Sequence, residues 1–137
     1  ETDGHVKRLD QIFRSLHEKP QRKVCRGMAG LIEEYQEFVK EEKPEEQLHD
    51  VYAASAALKN EHYEISTYEN LISMAQKLDL NESAQALEQN LSEEHSALKK
   101  LQDLGQDLLA QLPAQEEVEG GEEELYEVPS GKRNRAR

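Results

Sequence analysis

Three glutamates interrupt rows of apolar residues at positions that a helix would bury. Glu61 and Glu94 each occupy the middle of an apolar seam with alternating three- and four-residue spacing, and Glu64 interrupts the row beside Glu61. Because Glu61 and Glu64 are three residues apart, they share one face of a helix. An isolated buried carboxylate is costly, so buried acids on two helices require a compensating cation. A metal ion between the helices would supply that charge.

Two long helices must position these acids. Antiparallel packing about a turn near residue 79 brings Glu61 and Glu94 to similar heights, since each lies roughly 15 to 18 residues from that turn. A register shifted by one residue would instead place the acids on a solvated face, although seam acids on both helices argue against it. The predicted inward positions are Val51, Ala54, Leu58, Glu61, Ile65, Tyr68, Ile72 and Ala75 on one helix, and Ala84, Leu87, Leu91, Glu94, Leu98, Leu101, Gly105, Leu108 and Leu112 on the other.

The start of the chain offers a further pair of candidate ligands. Glu1 and His5 are four residues apart and therefore share a helix face. Carboxylates and an imidazole that project inward from several helices are the ingredients of a di-iron or di-manganese site. His62 and His95 point about 100° away from the acids that precede them, so we do not expect both to be direct ligands.

Prolines and an asparagine mark out four helical segments. Lys19-Pro20 and Lys43-Pro44 break the chain, because the residue before proline disfavours the helical conformation, and Asn81 is a good N-cap. Short connections make antiparallel neighbours, which predicts an all-α, up-down bundle. The predicted segments run from about residue 2 to 17, 24 to 41, 46 to 78, and from Asn81 or Ser83 to 112.

Composition narrows the class of protein. The 137 residues carry a formal net charge of −12, which argues against nucleic acid as the main partner. The sequence contains no apolar run that would span a membrane, and the lone Cys25 suits a reducing, cytoplasmic compartment and a structural thiol.

We expect one helical domain over residues 1–113 and a flexible, acidic-then-basic tail over residues 114–137. The opening residues already resemble the inside of a helix, so we expect further sequence upstream of Glu1.

Several remaining polar residues have ordinary interpretations. We expect Tyr63 and Tyr68 to pack in the core, where the Tyr68 hydroxyl could also donate to a bound carboxylate. The residues expected at the solvated surface are His17, His49, His95, Glu33 and Glu34.

Four separated strings resemble one family. Residues 4–13 (GHVKRLDQIF), 28–34 (MAGLIEE) and 61–65 (EHYEI) with Tyr68 are similar to its second helix, connecting helix and third helix, and Glu93-Glu94 begins the matching part of its fourth. This is the YciE/YciF family of ferritin-like proteins, and the resemblance covers about residues 1–105. It implies a ferritin-like bundle with a short connecting helix and a dinuclear metal site. The implied metal ligands are Glu1, His5, Glu61, Glu64 and Glu94.

The sequence also departs from the family pattern. The family's first long helix, which would bring another glutamate, has no counterpart here. His95 stands where lysine is more usual, and Leu98 stands where a polar acid is common. Without the first helix the bundle would expose an apolar groove, which a longer chain or a second copy must cover.

These observations lead to competing hypotheses of function. The first is a protein with two iron ions, or two manganese ions, that acts in stress-related iron oxidation or peroxide detoxification, with O₂ or H₂O₂ as the oxidant. The alternative is a non-catalytic helical protein that binds partners through its bundle surface or tail. Iron storage is a third hypothesis and would need a cage-forming interface. We expect the protein to form a homodimer or a higher homo-oligomer.

Overall fold

A computed structural model describes residues 2–113, which form four α-helices and no strand. Alanine, leucine, glutamate, glutamine and lysine dominate these segments, and all are strong helix formers. None of the described helices is both long enough and apolar enough to cross a membrane. Glu1 and the predicted tail at residues 114–137 lie outside the described residues. The helices are α1 (Thr2–Ser15), α2 (Arg26–Glu42), α3 (Glu46–Lys77) and α4 (Asn81–Ala110).

Helices α3 and α4 form a long antiparallel hairpin, and its interior is the centre of the protein. The buried core cluster lies towards the turn end of the hairpin, where Leu9 and Ile12 of α1 also pack against it. Every predicted inward position of both helices is buried or half-buried, so the predicted register is confirmed. The core cluster consists of Tyr68, Ile72, Ala75, Ala84 and Leu87.

The two shorter helices pack on different helices of this hairpin. Helix α1 packs antiparallel on α4, with His5 beside Glu94 and Arg8 beside Asn90. Helix α2 packs on α3, where Phe38 stacks on Tyr52 with a ring-centroid separation of 3.7 Å. Helix α1 therefore lies diagonally across from α3, and only side chains bridge the space between them.

The helix ends differ in detail from the predicted boundaries. Helix α1 ends before Pro20 because His17 adopts a left-handed conformation with φ 56°, and its amide donates to the Arg14 carbonyl. Asp79, with φ 57°, ends α3 in the same way, and the tight turn that follows starts α4. The prediction that Asn81 caps α4 is wrong: Asn81 is its first helical residue, and no side chain caps that end.

Candidate metal centre

Helices α3 and α4 bring the three seam acids together. One carboxylate oxygen from each of Glu61, Glu64 and Glu94 lies within 4.8 Å of the other two. Glu61 and Glu64 follow each other by one turn of α3, and Glu94 faces them from α4 because the hairpin aligns the two seams. Glu94 is the most buried of the three, with 5% of its surface exposed. We call these three residues the carboxylate cluster.

The electrostatics of the carboxylate cluster favour a bound cation. Burial, and then the charge of Glu61, raise the pKa of Glu64, while His5 acts in the opposite direction. The Oε2 atom of Glu61 is buried without a hydrogen-bond partner. An orphaned carboxylate oxygen among other carboxylates lacks the positive charge that would stabilise it. Carboxylate oxygens and an imidazole nitrogen are suitable donors for iron or manganese, so the residues present fit such an ion.

His5 of α1 lies beside the carboxylate cluster. Its Nδ1 lies 3.0 Å from Oε1 of Glu94, and its Nε2 lies 2.8 Å from Oε2 of Glu93. The imidazole is buried and packs edge-on against the Tyr68 ring, with centroids 6.0 Å apart and planes at 88°. His5 therefore presents one nitrogen to the carboxylate cluster and the other to an acid outside it.

A polar network behind His5 was not expected from the sequence. Arg8 hydrogen-bonds to both Asn90 and Glu93, and the Nδ2 of Asn90 donates to the Tyr68 hydroxyl at 3.1 Å. Asn90 is fully buried, and its partners satisfy both ends of its amide. Although burial raises the pKa of Glu93, hydrogen bonds from Arg8 and then His5 outweigh burial and lower it. Asn90 lies among polar neighbours such as Glu88, Gln89 and Ser92, so the sequence carried no signal that it is buried.

A cavity of about 260 Å³ opens between α1, the start of α2 and the middle of α3. It reaches Glu64 of the carboxylate cluster and the ring of Tyr68, while most of its wall is apolar. Cys25 and Tyr63 stand at this cavity, and the Cys25 thiol lies 3.1 Å from the Tyr63 hydroxyl. Glu64 therefore belongs both to the carboxylate cluster and to the wall of this cavity.

The structure brings some of the residues predicted for the site together and places others at the surface. Glu61, Glu64 and Glu94 meet, and His5 contacts Glu94, whereas Glu1 lies outside the described residues. The expectation of a surface position holds for exposed His17, His95, Glu33 and Glu34, but His49 is half-buried and hydrogen-bonds to Tyr35 at 3.0 Å. His62 is also exposed. The prediction that Tyr63 packs in the core is wrong: 38% of its surface is exposed, and its hydroxyl contacts the exposed Cys25 thiol.

Residues 1–113 match the family model DUF892, which is described as a domain of unknown function. The chain belongs to the DUF892 family. This DUF892 chain is 38% identical over 105 residues to Protein YciF of Escherichia coli strain K12. The matched residues are 76% of this chain and 63% of YciF, so the chain spans less than two thirds of that relative.

Two solved structures are also similar to this DUF892 chain. It resembles the crystal structure of the E. coli stress protein YciF with a TM-score of 0.74 and 35% identity, covering 81% of this chain and 70% of YciF. It also resembles YcfI from Rhodopseudomonas palustris with a TM-score of 0.70 and 36% identity, covering 74% and 64% of the two chains. YcfI is described provisionally as a structural protein. The predicted family resemblance and all-α, ferritin-like bundle are confirmed.

Proposed function

We propose that the protein binds two iron ions, or two manganese ions, at the carboxylate cluster and oxidises ferrous iron with O₂ or H₂O₂. The observation that carries this proposal is the convergence of three carboxylates within 4.8 Å, one of them on a separate helix, around a buried oxygen that lacks a partner. A purely structural cluster of this kind would be destabilised by its own repulsion. A bound cation would attract all three carboxylates and so outweigh the repulsion between them.

The residues of the site have distinct roles in this proposal. Glu61, Glu64 and Glu94 bind the metal through their oxygens, and His5 binds through Nδ1, the nitrogen that faces the carboxylate cluster. The bound metal supplies one-electron redox chemistry at neutral pH. Tyr68 and the apolar wall of the cavity limit water around the carboxylate cluster, while its opening at Glu64 admits a small oxidant.

The overall reaction balances without a further reductant. Two ferrous ions lose one electron each, and one H₂O₂ takes up two electrons and two protons to give two waters. Ferrous iron and peroxide are therefore the substrates, and ferric iron and water are the products. The stress role stated for E. coli YciF agrees with a reaction that removes peroxide and ferrous iron together.

The test is anaerobic ferrous titration followed by peroxide. Wild type is expected to bind two ferrous ions per chain and then develop a near-ultraviolet ferric absorbance within the mixing time of H₂O₂. The double variant Glu61→Gln/Glu94→Gln should lose both properties. Glu69→Gln, an exposed acid on the same helix, is the matched control and should behave like wild type. Wild-type iron binding and oxidation in the double variant would exclude this site.

A second candidate function, an interaction protein, is favoured by a different observation. Leu71 and Met74 of α3 and Leu78, which directly follows the helix, form an exposed apolar row, with 38%, 60% and 67% of their surfaces exposed. Their spacing puts them on one helix face, which suits contact with another helix. The occupant to test first is a second copy of the chain. Light scattering of Met74→Glu/Leu78→Glu should then show a loss of dimer, with iron binding unchanged.

A further inference from the structure

One oxygen of Glu93 is shared by two donors behind the carboxylate cluster. Oε2 lies 2.8 Å from Nε2 of His5 and also accepts a hydrogen bond from Nη2 of Arg8. The guanidinium has only donors, so it holds this carboxylate oxygen as an acceptor. The proton between Glu93 and His5 therefore belongs to Nε2.

The position of this proton determines the other ring nitrogen. In a neutral imidazole, one nitrogen carries the proton and the other carries the lone pair. When the ring is neutral and Nε2–H donates to Glu93, the lone pair lies on Nδ1, which is 3.0 Å from Oε1 of Glu94. Both of these atoms are then acceptors, so the contact needs a cation or a proton between them. Nδ1 is thus the nitrogen prepared to bind a cation at the carboxylate cluster.

Arg8 is itself held in one place. Its Nε donates to Oδ1 of Asn90, which is fully buried, and the Nδ2 of Asn90 donates to the Tyr68 hydroxyl. Rotation of the Asn90 amide would set its NH₂ group against the guanidinium, so the amide has one acceptable orientation. Asn90 therefore fixes Arg8, and Arg8 fixes Glu93.

We propose that Arg8 and Glu93 are positioning residues that lock His5 as the Nε2–H tautomer, so that Nδ1 faces the carboxylate cluster. Glu93 is outside the ligand set and acts through His5. This inference rests on the proposed metal site. It gives a role to Arg8 and Glu93, which do not themselves bind the metal in that proposal. Loss of such an outer partner commonly lowers metal affinity by roughly 10- to 100-fold.

The tautomer is read directly from ring-nitrogen NMR. Uniformly ¹⁵N-labelled protein is examined with Zn²⁺ as a diamagnetic probe and without metal at a pH where the ring is neutral. His5→Gln identifies the His5 signals. In wild type we expect a proton on Nε2 in both samples, with the Nδ1 signal shifted by zinc.

The variants separate positioning from simple packing. Glu93→Ala should give a mixture of tautomers and roughly 10-fold weaker zinc binding or more. Glu93→Gln should restore the single tautomer, because its amide oxygen still accepts from His5 and Arg8. Glu88→Ala, an exposed acid on the same helix, is the matched control.

Each result has a defined meaning. A single Nε2–H tautomer in Glu93→Ala, or an Nδ1–H tautomer in wild type, would overturn the inference. Absence of zinc binding in wild type would instead count against the metal site. The metal-free spectrum would still decide which nitrogen of His5 carries the proton.

Discussion

Replacing Glu61 with glutamine should change stability in opposite directions with and without metal. Two like charges 4.8 Å apart repel by about 3.5 kcal/mol at an effective dielectric of 20 and by about 0.9 kcal/mol in bulk water. Glu61 is half-buried, so the expected gain for metal-free Glu61→Gln is about 1–2 kcal/mol in the free energy of unfolding. The new amide can also donate to the neighbouring carboxylates, which removes the orphaned oxygen.

In the presence of metal, wild type should be more stable than Glu61→Gln. An ion present at about 100 times its dissociation constant stabilises wild type by about 2.7 kcal/mol, and the variant loses most of this stabilisation. The assay is urea denaturation followed by circular dichroism, in EDTA and in Mn²⁺, with Glu69→Gln as the control. If Glu61→Gln is less stable than wild type in EDTA, or gains as much as wild type from Mn²⁺, the repulsive cluster does not exist as described.

Three further outcomes follow from the same structure. Burial, and then Glu61, raise the pKa of Glu64, so the metal-free folded state binds a proton more tightly than the unfolded state. Its stability should therefore fall as pH rises above the ordinary glutamate value of 4.5, and Glu64→Gln should flatten that decline in urea titrations. Asn90→Ala removes one hydrogen bond from Arg8 and one from the Tyr68 hydroxyl and should cost about 1–3 kcal/mol in the free energy of unfolding, measured by the same assay. The Tyr63 hydrogen bond, and then backbone contacts, lower the pKa of Cys25, so Tyr63→Phe should move the midpoint of iodoacetamide alkylation to higher pH.

Hydropathy alone was sufficient to locate the α3–α4 hairpin. The seam periodicity predicted that Ala54, Ile65 and Ala84 would be buried, because a long antiparallel pair has one interior. The same pattern placed Glu61 and Glu94 opposite each other. Within residues 2–113, the breaks at Pro20, Pro44 and the turn before Asn81 correctly predicted four helices.

The polar network could not be read in the same way. Arg8 and Glu93 occupy ordinary positions for surface charges, and their pairing depends on how α1 lies across α4. Sequence spacing within one helix does not report an angle between two helices. The left-handed His17 was also unexpected, since few residues other than glycine adopt that conformation, and it ends α1 before Pro20.

The placement of α1 would let one proposed metal ligand, His5, leave the site without the others. Glu61, Glu64 and Glu94 all belong to the α3–α4 hairpin, whereas His5 lies on a fourteen-residue helix whose backbone approaches only α4 among the described helices, its contacts with α3 being made by side chains. A short helix at one edge of a bundle opens locally at a lower free energy than the hairpin it covers. Such an opening removes the imidazole and leaves the acids in place. Amide hydrogen exchange in α1 and the residence time of bound metal should therefore report the same opening of α1. Variants with slower exchange in α1 should release the metal more slowly.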